Sequence, residues 1–170
     1  MKAFEPAIIV TRPTGQARRL TELIEVATQA VYPSVRMVSL PLLTIIPKND
    51  LALLTQLRTA LKRATLIIFV SPNAIECTMR AVDDANSSWE KLVNPGVRIG
   101  VVGQSSQEAL IRHGLAKESI LVPAQDESDS EGLWKALQTK ITDWSKESVL
   151  LIKGEGGREA LIEQLRSAGA

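Results

Sequence analysis

The chain has 170 residues, 20 basic and 19 acidic side chains, a net charge of +1 and 45% hydrophobic content, which excludes both the basic face of a nucleic-acid binder and the low hydrophobicity of a disordered chain. One cysteine, Cys77, and one histidine, His113, exclude an intramolecular disulfide and a His/Cys zinc site, and fit a reducing compartment. No apolar run approaches the roughly 20 residues of a membrane span, and the N-terminal residues lack the apolar core of a signal peptide; a soluble cytoplasmic protein, with no membrane and no nucleic-acid partner, is expected.

Ala7–Thr11 is an apolar run of the length of one buried strand. Thr14 is placed to cap the next helix, whose Leu20, Leu23, Ile24 and Ala27 share a stripe at helical spacing. Val35–Leu40 reads as a second strand. Pro41–Pro47 reads as a linker or edge strand, because prolines at both ends resist helix. Asn49 or Asp50 caps a helix with Leu51, Leu54, Leu57 and Leu61 inward. Leu66–Val70 is the clearest buried strand; a helix follows from Pro72, tolerated in a first turn because its missing N–H has no intrahelical partner. The polar stretch Asp83–Gly96 predicts a loop with one helical turn around Trp89. Val97–Val102 predicts a strand, and Gln104–His113 a helix ended by Gly114. Ile120–Val122 is a short strand and Asp126–Ser130 a polar loop, after which Leu133, Trp134, Leu137 and Ile141 share one helical face. Val149–Ile152 is the last strand, and Leu161, Ile162 and Leu165 mark the last helix. Strands alternating with helices at this spacing give an α/β fold with mostly parallel sheet. Right-handed crossovers then put the strand ends on a common side, where ligands bind in open α/β sheets.

Four of those strands end in polar or glycine residues. Thr11 and Arg12 follow the first; Arg12 pairs with a carboxylate or stands as a surface arginine. Ser71 and Asn73 offer a hydroxyl and an amide, although Ser71 equally suits a helix cap, and no Gly-x-Ser-x-Gly elbow surrounds it. Gly103 allows close backbone approach, and Ser105 and Ser106 donate to an anion or cap the helix. Ser128-x-x-Glu131 has the pattern of a capping box, with Ser130 inside it. Lys153-Gly154-Glu155-Gly156-Gly157-Arg158 is an anion cradle or a tight turn that needs glycine; it departs from the dinucleotide fingerprint at Glu159. His113 at a predicted helix C-terminus and Cys77 within a helix read as structural. No carboxylate pair, metal-ligand cluster or P-loop occurs in the sequence. The residues alone therefore lead to an α/β protein with a cleft for an anionic organic ligand. An enzyme, a non-catalytic two-domain anionic-ligand-binding module, and a phosphosugar- or nucleotide-binding enzyme using Gly154–Gly157 as its phosphate loop all fit.

Taken in order, the segments Val10-Thr11-Arg12-Pro13, Phe69-Val70-Ser71-Pro72-Asn73-Ala74, Val101-Val102-Gly103-Gln104-Ser105-Ser106, Asp129-Ser130-Glu131-Gly132-Leu133 and Gly154-Glu155-Gly156-Gly157-Arg158 resemble the uroporphyrinogen-III synthase family across essentially the whole chain. Ser106 stands where the family usually has a threonine, so the hydroxyl is kept. The resemblance implies two flavodoxin-like parallel-sheet domains joined by a two-stranded connector, with the active site between them. It implies a discontinuous first domain, residues 1–39 plus 147–170, and a second domain, residues 40–146, with linkers at Pro41–Pro47 and Ile141–Glu147. On that mapping the chain lacks the C-terminal part of the family's first domain, and a tyrosine that the family uses falls beyond Ala170. The implied activity is a lyase reaction without cofactor or metal in tetrapyrrole biosynthesis (haem, sirohaem, cobalamin): hydroxymethylbilane loses water and cyclises with ring D inverted. The implied substrate contacts are Thr11, Arg12, Ser71, Asn73, Gly103, Ser105, Ser106, Ser130, Gly154, Gly156, Gly157 and Arg158. The resemblance further implies a monomer that receives its substrate from the preceding pathway enzyme.

Overall fold

The computed structural model describes residues 6–48, 50–83, 88–127, 129–156 and 159–170. The chain divides into two units, Met1–Pro47 and Lys48–Ala170. In the first, strands β1 (Ala7–Val10) and β2 (Arg36–Ser39) pair in parallel, Ala7 opposite Arg36 and Val10 opposite Ser39. Helix α1 (Thr14–Thr28) connects them. Thr14 is the first helical residue, not the cap. Pro13, with φ −49°, holds the cap position, and its carbonyl accepts the N–H groups of Gln16 and Ala17 at 2.8 and 3.0 Å. The α1 stripe is less covered than its periodicity predicts: Leu20 and Ile24 are half-buried, but Ala27 is exposed and Leu23 is 58% exposed. Two strands make too narrow a surface to cover a helix face. Val10 and Ala17 are the buried residues among those described in this unit, while Ile9, Val26, Val31, Leu42, Leu43 and Ile46 are exposed.

The second unit is built around strand β3 (Leu66–Phe69), whose four apolar side chains are all 0% exposed. Successive strand residues point to opposite faces, so a strand buried throughout needs cover on both. Ile67 and Phe69 face one core with Leu61, Ile75, Met79, Val82 and Leu110. These come from α2 (Leu51–Arg63), α3 (Pro72–Val82) and α5 (Gln104–Arg112), with the short α4 (Trp89–Leu92) alongside. Leu66 and Ile68 face the other core, with Leu133, Leu137, Leu161 and Leu165 from α6 (Ser130–Gln138) and α7 (Ala160–Ala168). The result is a three-layer α/β unit. Its sheet is wholly parallel, in the order β5 (Ile120–Leu121), β4 (Arg98–Val101), β3, β6 (Val149–Ile152). The class expected from the sequence, α/β with parallel sheets in two units, is the one observed.

The domain boundaries differ from the expectation. Residues 147–170 stand with 48–146, not with 1–39: β6 pairs with β3, Leu66 opposite Val149 and Phe69 opposite Ile152, and Leu161 and Leu165 close the second core. The physical reason is that β3 has apolar surface and backbone donors on its second flank, which β6 satisfies. The linkers differ too. Among the described residues, neither 40–47 nor 141–147 carries a strand. Ile141 and Trp144 are buried in the second core, and Trp144 lies 5.0 Å from Trp134, centroid to centroid. The proposed helix cap at Asn49 lies outside the described residues. Asp50 caps α2, accepting the Ala52 N–H at 2.7 Å. Gly114 and Gly169, at φ +88° and +103°, end α5 and α7 as left-handed residues.

The amino ends of β3, β4 and β6 are clipped together. Glu147, its side chain 9% exposed, takes an ion pair from Arg98 and a 2.6 Å hydrogen bond from the Thr65 hydroxyl; Thr65 Oγ1 in turn accepts the Ser148 N–H at 2.9 Å. Burial pushes the Glu147 carboxyl up, and Asp143 pushes the same way, but the Arg98 and Thr65 bonds and the Arg98 charge outweigh both and hold it below its ordinary 4.5. The contribution is therefore complete above pH 4.5 and is lost as pH falls through the depressed folded value. Urea titration at neutral pH should show Glu147→Gln less stable by about 1–3 kcal/mol, the gap from wild type closing in acid. A second weak point is Gly132: a Cβ there would sit 2.0 Å from the Glu127 carbonyl oxygen, a backbone atom that cannot swing away. Gly132→Ala should cost about 1–3 kcal/mol in the same assay, despite alanine's better helix propensity.

Candidate functional site

Going one way from β3 the chain adds β4 and then β5; it then returns to place β6 on the opposite flank. The strand order reverses between β3 and β6, and the crevice beyond the carboxyl ends at such a reversal is where open α/β sheets bind ligands. Register fixes what lies there. Phe69 is opposite both Val101 and Ile152, so Ser71, Gly103 and Gly154, each two residues further on, follow the carboxyl ends of three adjacent strands. The Val70 N–H still bonds the Ile152 carbonyl at 3.2 Å, which carries the ladder to this edge. Three of the four strand-end junctions of the sequence thus share one sheet edge. Thr11 and Arg12 belong to the other unit, where the Thr11 carbonyl accepts the Leu42 N–H at 3.1 Å and exposed Arg12 donates to Gln16 Oε1 at 3.2 Å.

The helices that leave this edge start differently. Ser71 is extended, φ −160°, and its Oγ accepts the Ala74 N–H at 3.2 Å, so it is the cap of α3. Asn73 is half-buried in the first turn. At α5 the cap position is Gly103, with no side chain to offer, and no side-chain cap bond forms. The Gly103 carbonyl takes the N–H groups of Ser106 and Gln107 at 3.0 and 3.1 Å. Ser106 and Gln107 are 3% and 5% exposed, and Ser105 is on the surface. A helix start without a side-chain cap presents N–H donors and partial positive charge to whatever occupies the crevice. Next along, α6 is capped by Asp129, whose Oδ1 accepts the Gly132 N–H at 2.8 Å; Ser130 is buried in its first turn. The capping box read at Ser128 lies outside the described residues.

After β6, Gly154 and Gly156 are exposed, Gly156 at φ +73°. Gly157 and Arg158 of the proposed cradle lie outside the described residues. Lys153 donates to the Gly156 carbonyl at 3.2 Å, and Lys48, at the start of the second unit, forms an ion pair with Glu155. That pair pulls the exposed Glu155 carboxyl below its ordinary value through the Lys48 hydrogen bond and charge. Lys48 has no signal in the sequence. Its partner is 107 positions away, and it reaches this edge only because α2, which precedes β3, starts at the strands' carboxyl end.

The edge offers donors and ammonium groups without an acid–base pair, which suits an anionic ligand better than proton chemistry. Among the described residues no group of three or more His, Cys, Asp or Glu could hold a metal ion, and no helix is long and apolar enough to cross a membrane. A cleft of about 340 Å³ beside α3, lined in part by Glu76, Arg80, Asp83 and His113, is of mixed charge. There Glu76 accepts from Arg112 at 3.3 Å and faces His113 Nε2 at 3.0 Å, which ties α3 to α5.

Comparison with known proteins gives the family. The family model for uroporphyrinogen-III synthase HemD matches residues 26–170. A protein of Proteus mirabilis named uroporphyrinogen-III synthase is 28% identical over 166 residues, covering 96% of this chain and 75% of its own length. One of the same name from Escherichia coli (strain K12) is 24% identical over 164 residues, covering 96% of this chain and 61% of its own length. With most of its length, and all of its four-stranded sheet, inside the family match, this chain belongs to the uroporphyrinogen-III synthase family.

Proposed function

We propose that the chain is a uroporphyrinogen-III synthase: a lyase that closes hydroxymethylbilane, a linear tetrapyrrole with eight carboxylates, into the type III macrocycle of tetrapyrrole biosynthesis. The observation that carries the reading is the start of α5, where a glycine cap position leaves backbone donors beside the nearly buried Ser106, at the same sheet edge as Ser71 and Gly154. Membership of the family supports this choice of substrate.

In the proposed reaction the hydroxymethyl C–O bond breaks, and the hydroxyl leaves as water with the pyrrole N–H proton, giving a neutral azafulvene. Ring D attacks through its substituted carbon to form a spiro intermediate, which fragments and recloses with ring D inverted. None of these steps needs a strong acid or base. What the protein must supply is a folded substrate whose ends are held in reach, a proximity effect. Ser105, Ser106 and the first N–H groups of α5 take one carboxylate. Ser71 remains competent while capping, because its oxygen accepts from Ala74 and its own proton is free to be donated outward. Asn73, Ser130, Gly154 and Gly156 complete this edge, and Thr11, Arg12, Gly157 and Arg158 are proposed as further substrate contacts.

Incubation with enzymatically prepared hydroxymethylbilane should yield the type III isomer, resolved from the spontaneous type I product by chromatography. Ser106→Ala and Arg12→Ala should each raise KM about tenfold, the loss of one charge-assisted hydrogen bond, with little change in melting temperature. Type I product alone, or unchanged KM in both variants, would overturn the reading or the residue assignment respectively.

A further inference from the structure

A carboxylate is out of place in a turn that receives anions, yet Glu155 sits between Gly154 and Gly156 at the carboxyl end of β6. Its partner explains it. Glu155 is 81% exposed and pairs with Lys48, itself 62% exposed, across 107 residues of sequence. The backbone beside the pair is open: among the described residues, beyond its immediate chain neighbours, a Cβ on Gly154 or Gly156 would meet nothing within 4 Å. Gly156 needs glycine for its φ of +73°, whereas neither crowding nor a positive φ demands it at Gly154. We propose that Glu155 is an internal stand-in for a substrate carboxylate: it occupies the Lys48 ammonium in the free protein, and an incoming carboxylate displaces it, so that Lys48 is a substrate-binding residue and Glu155 sets its threshold.

The exchange rests on the anionic substrate proposed above. An exposed ion pair contributes little to stability, so replacing one carboxylate by another on the same ammonium leaves the fold unaffected. The displaced Glu155 remains solvated and needs no new partner. The device also favours polyanions. A ligand with a single carboxylate gains only what Glu155 already provides, whereas one with several carboxylates is held by Ser106, the start of α5 and Lys48 together. Lys153, which donates to the Gly156 carbonyl at 3.2 Å, steadies the turn while Glu155 changes places.

The test is a titration of the full chain with uroporphyrin III, a stable octacarboxylate macrocycle, followed by its fluorescence, with melting curves as a check on folding. Lys48→Gln should weaken binding about tenfold, as expected for one lost charge-assisted contact. Glu155→Gln should tighten it about threefold by removing the internal competitor. The deciding measurement is the double variant, which should bind like Lys48→Gln, because without the ammonium there is nothing for Glu155 to block. If Glu155→Gln tightens binding equally in both backgrounds, Glu155 acts only through its general field and the exchange is wrong; weaker or unchanged binding in Glu155→Gln also overturns it. If wild type does not bind the probe at all, the functional reading above fails together with this one. Wild-type binding that is indifferent to both substitutions removes only the exchange.

Discussion

Burial of β3 on both faces is the constraint from which the second unit follows. Four consecutive residues, Leu66 to Phe69, are fully removed from water, each such side chain contributing about 1.5–3 kcal/mol of transfer free energy. The two faces require two helical layers, and α2, α3 and α5 supply one while α6 and α7 supply the other. Changing layers partway along a right-handed winding reverses the direction in which strands are added. The reversal falls between the strand ends that lead to Ser71 and Gly154, where open α/β sheets bind ligands. The location of the candidate site is thus a consequence of core packing, settled before any polar residue is placed.

The two ends of that sheet are treated in opposite ways. At the amino end, Thr65, Arg98, Glu147 and Ser148 satisfy one another across three strands. At the carboxyl end α5 starts on a glycine with no side-chain cap, and the turn after β6 is exposed and glycine-rich. A sheet closed at one end can leave donors uncommitted at the other without losing register, which preorganised binding requires.

Much of this was legible in the residues. The unbroken run at β3, the shared face of Leu133 and Leu137, and the glycine that ends α5 each have a local cause, so local patterns revealed them. Ser71 was legible as a cap or a ligand group, and its geometry shows a cap that keeps a donor. The partner of β6 was not legible. Val149–Ile152 carries no mark of which strand it will join, and the expected return to residues 1–39 gave way to pairing with β3. The α1 stripe misled for a related reason: periodicity reports which face is apolar, not whether enough sheet exists to cover it. The Lys48–Glu155 pair escaped because its two residues meet only through the start of α2.

The position of β6 bears on how the molecule is made. β3, β4 and β5 follow one another closely in sequence and can pair as they leave the ribosome, but the far flank of β3 waits for a strand more than eighty positions later. Until residues 149–152 emerge, the most apolar strand of the chain shows an open edge, the condition in which nascent sheets pair with the wrong neighbour. The interval between synthesis of β3 and of β6 is therefore when a chaperone that masks strand edges would matter most.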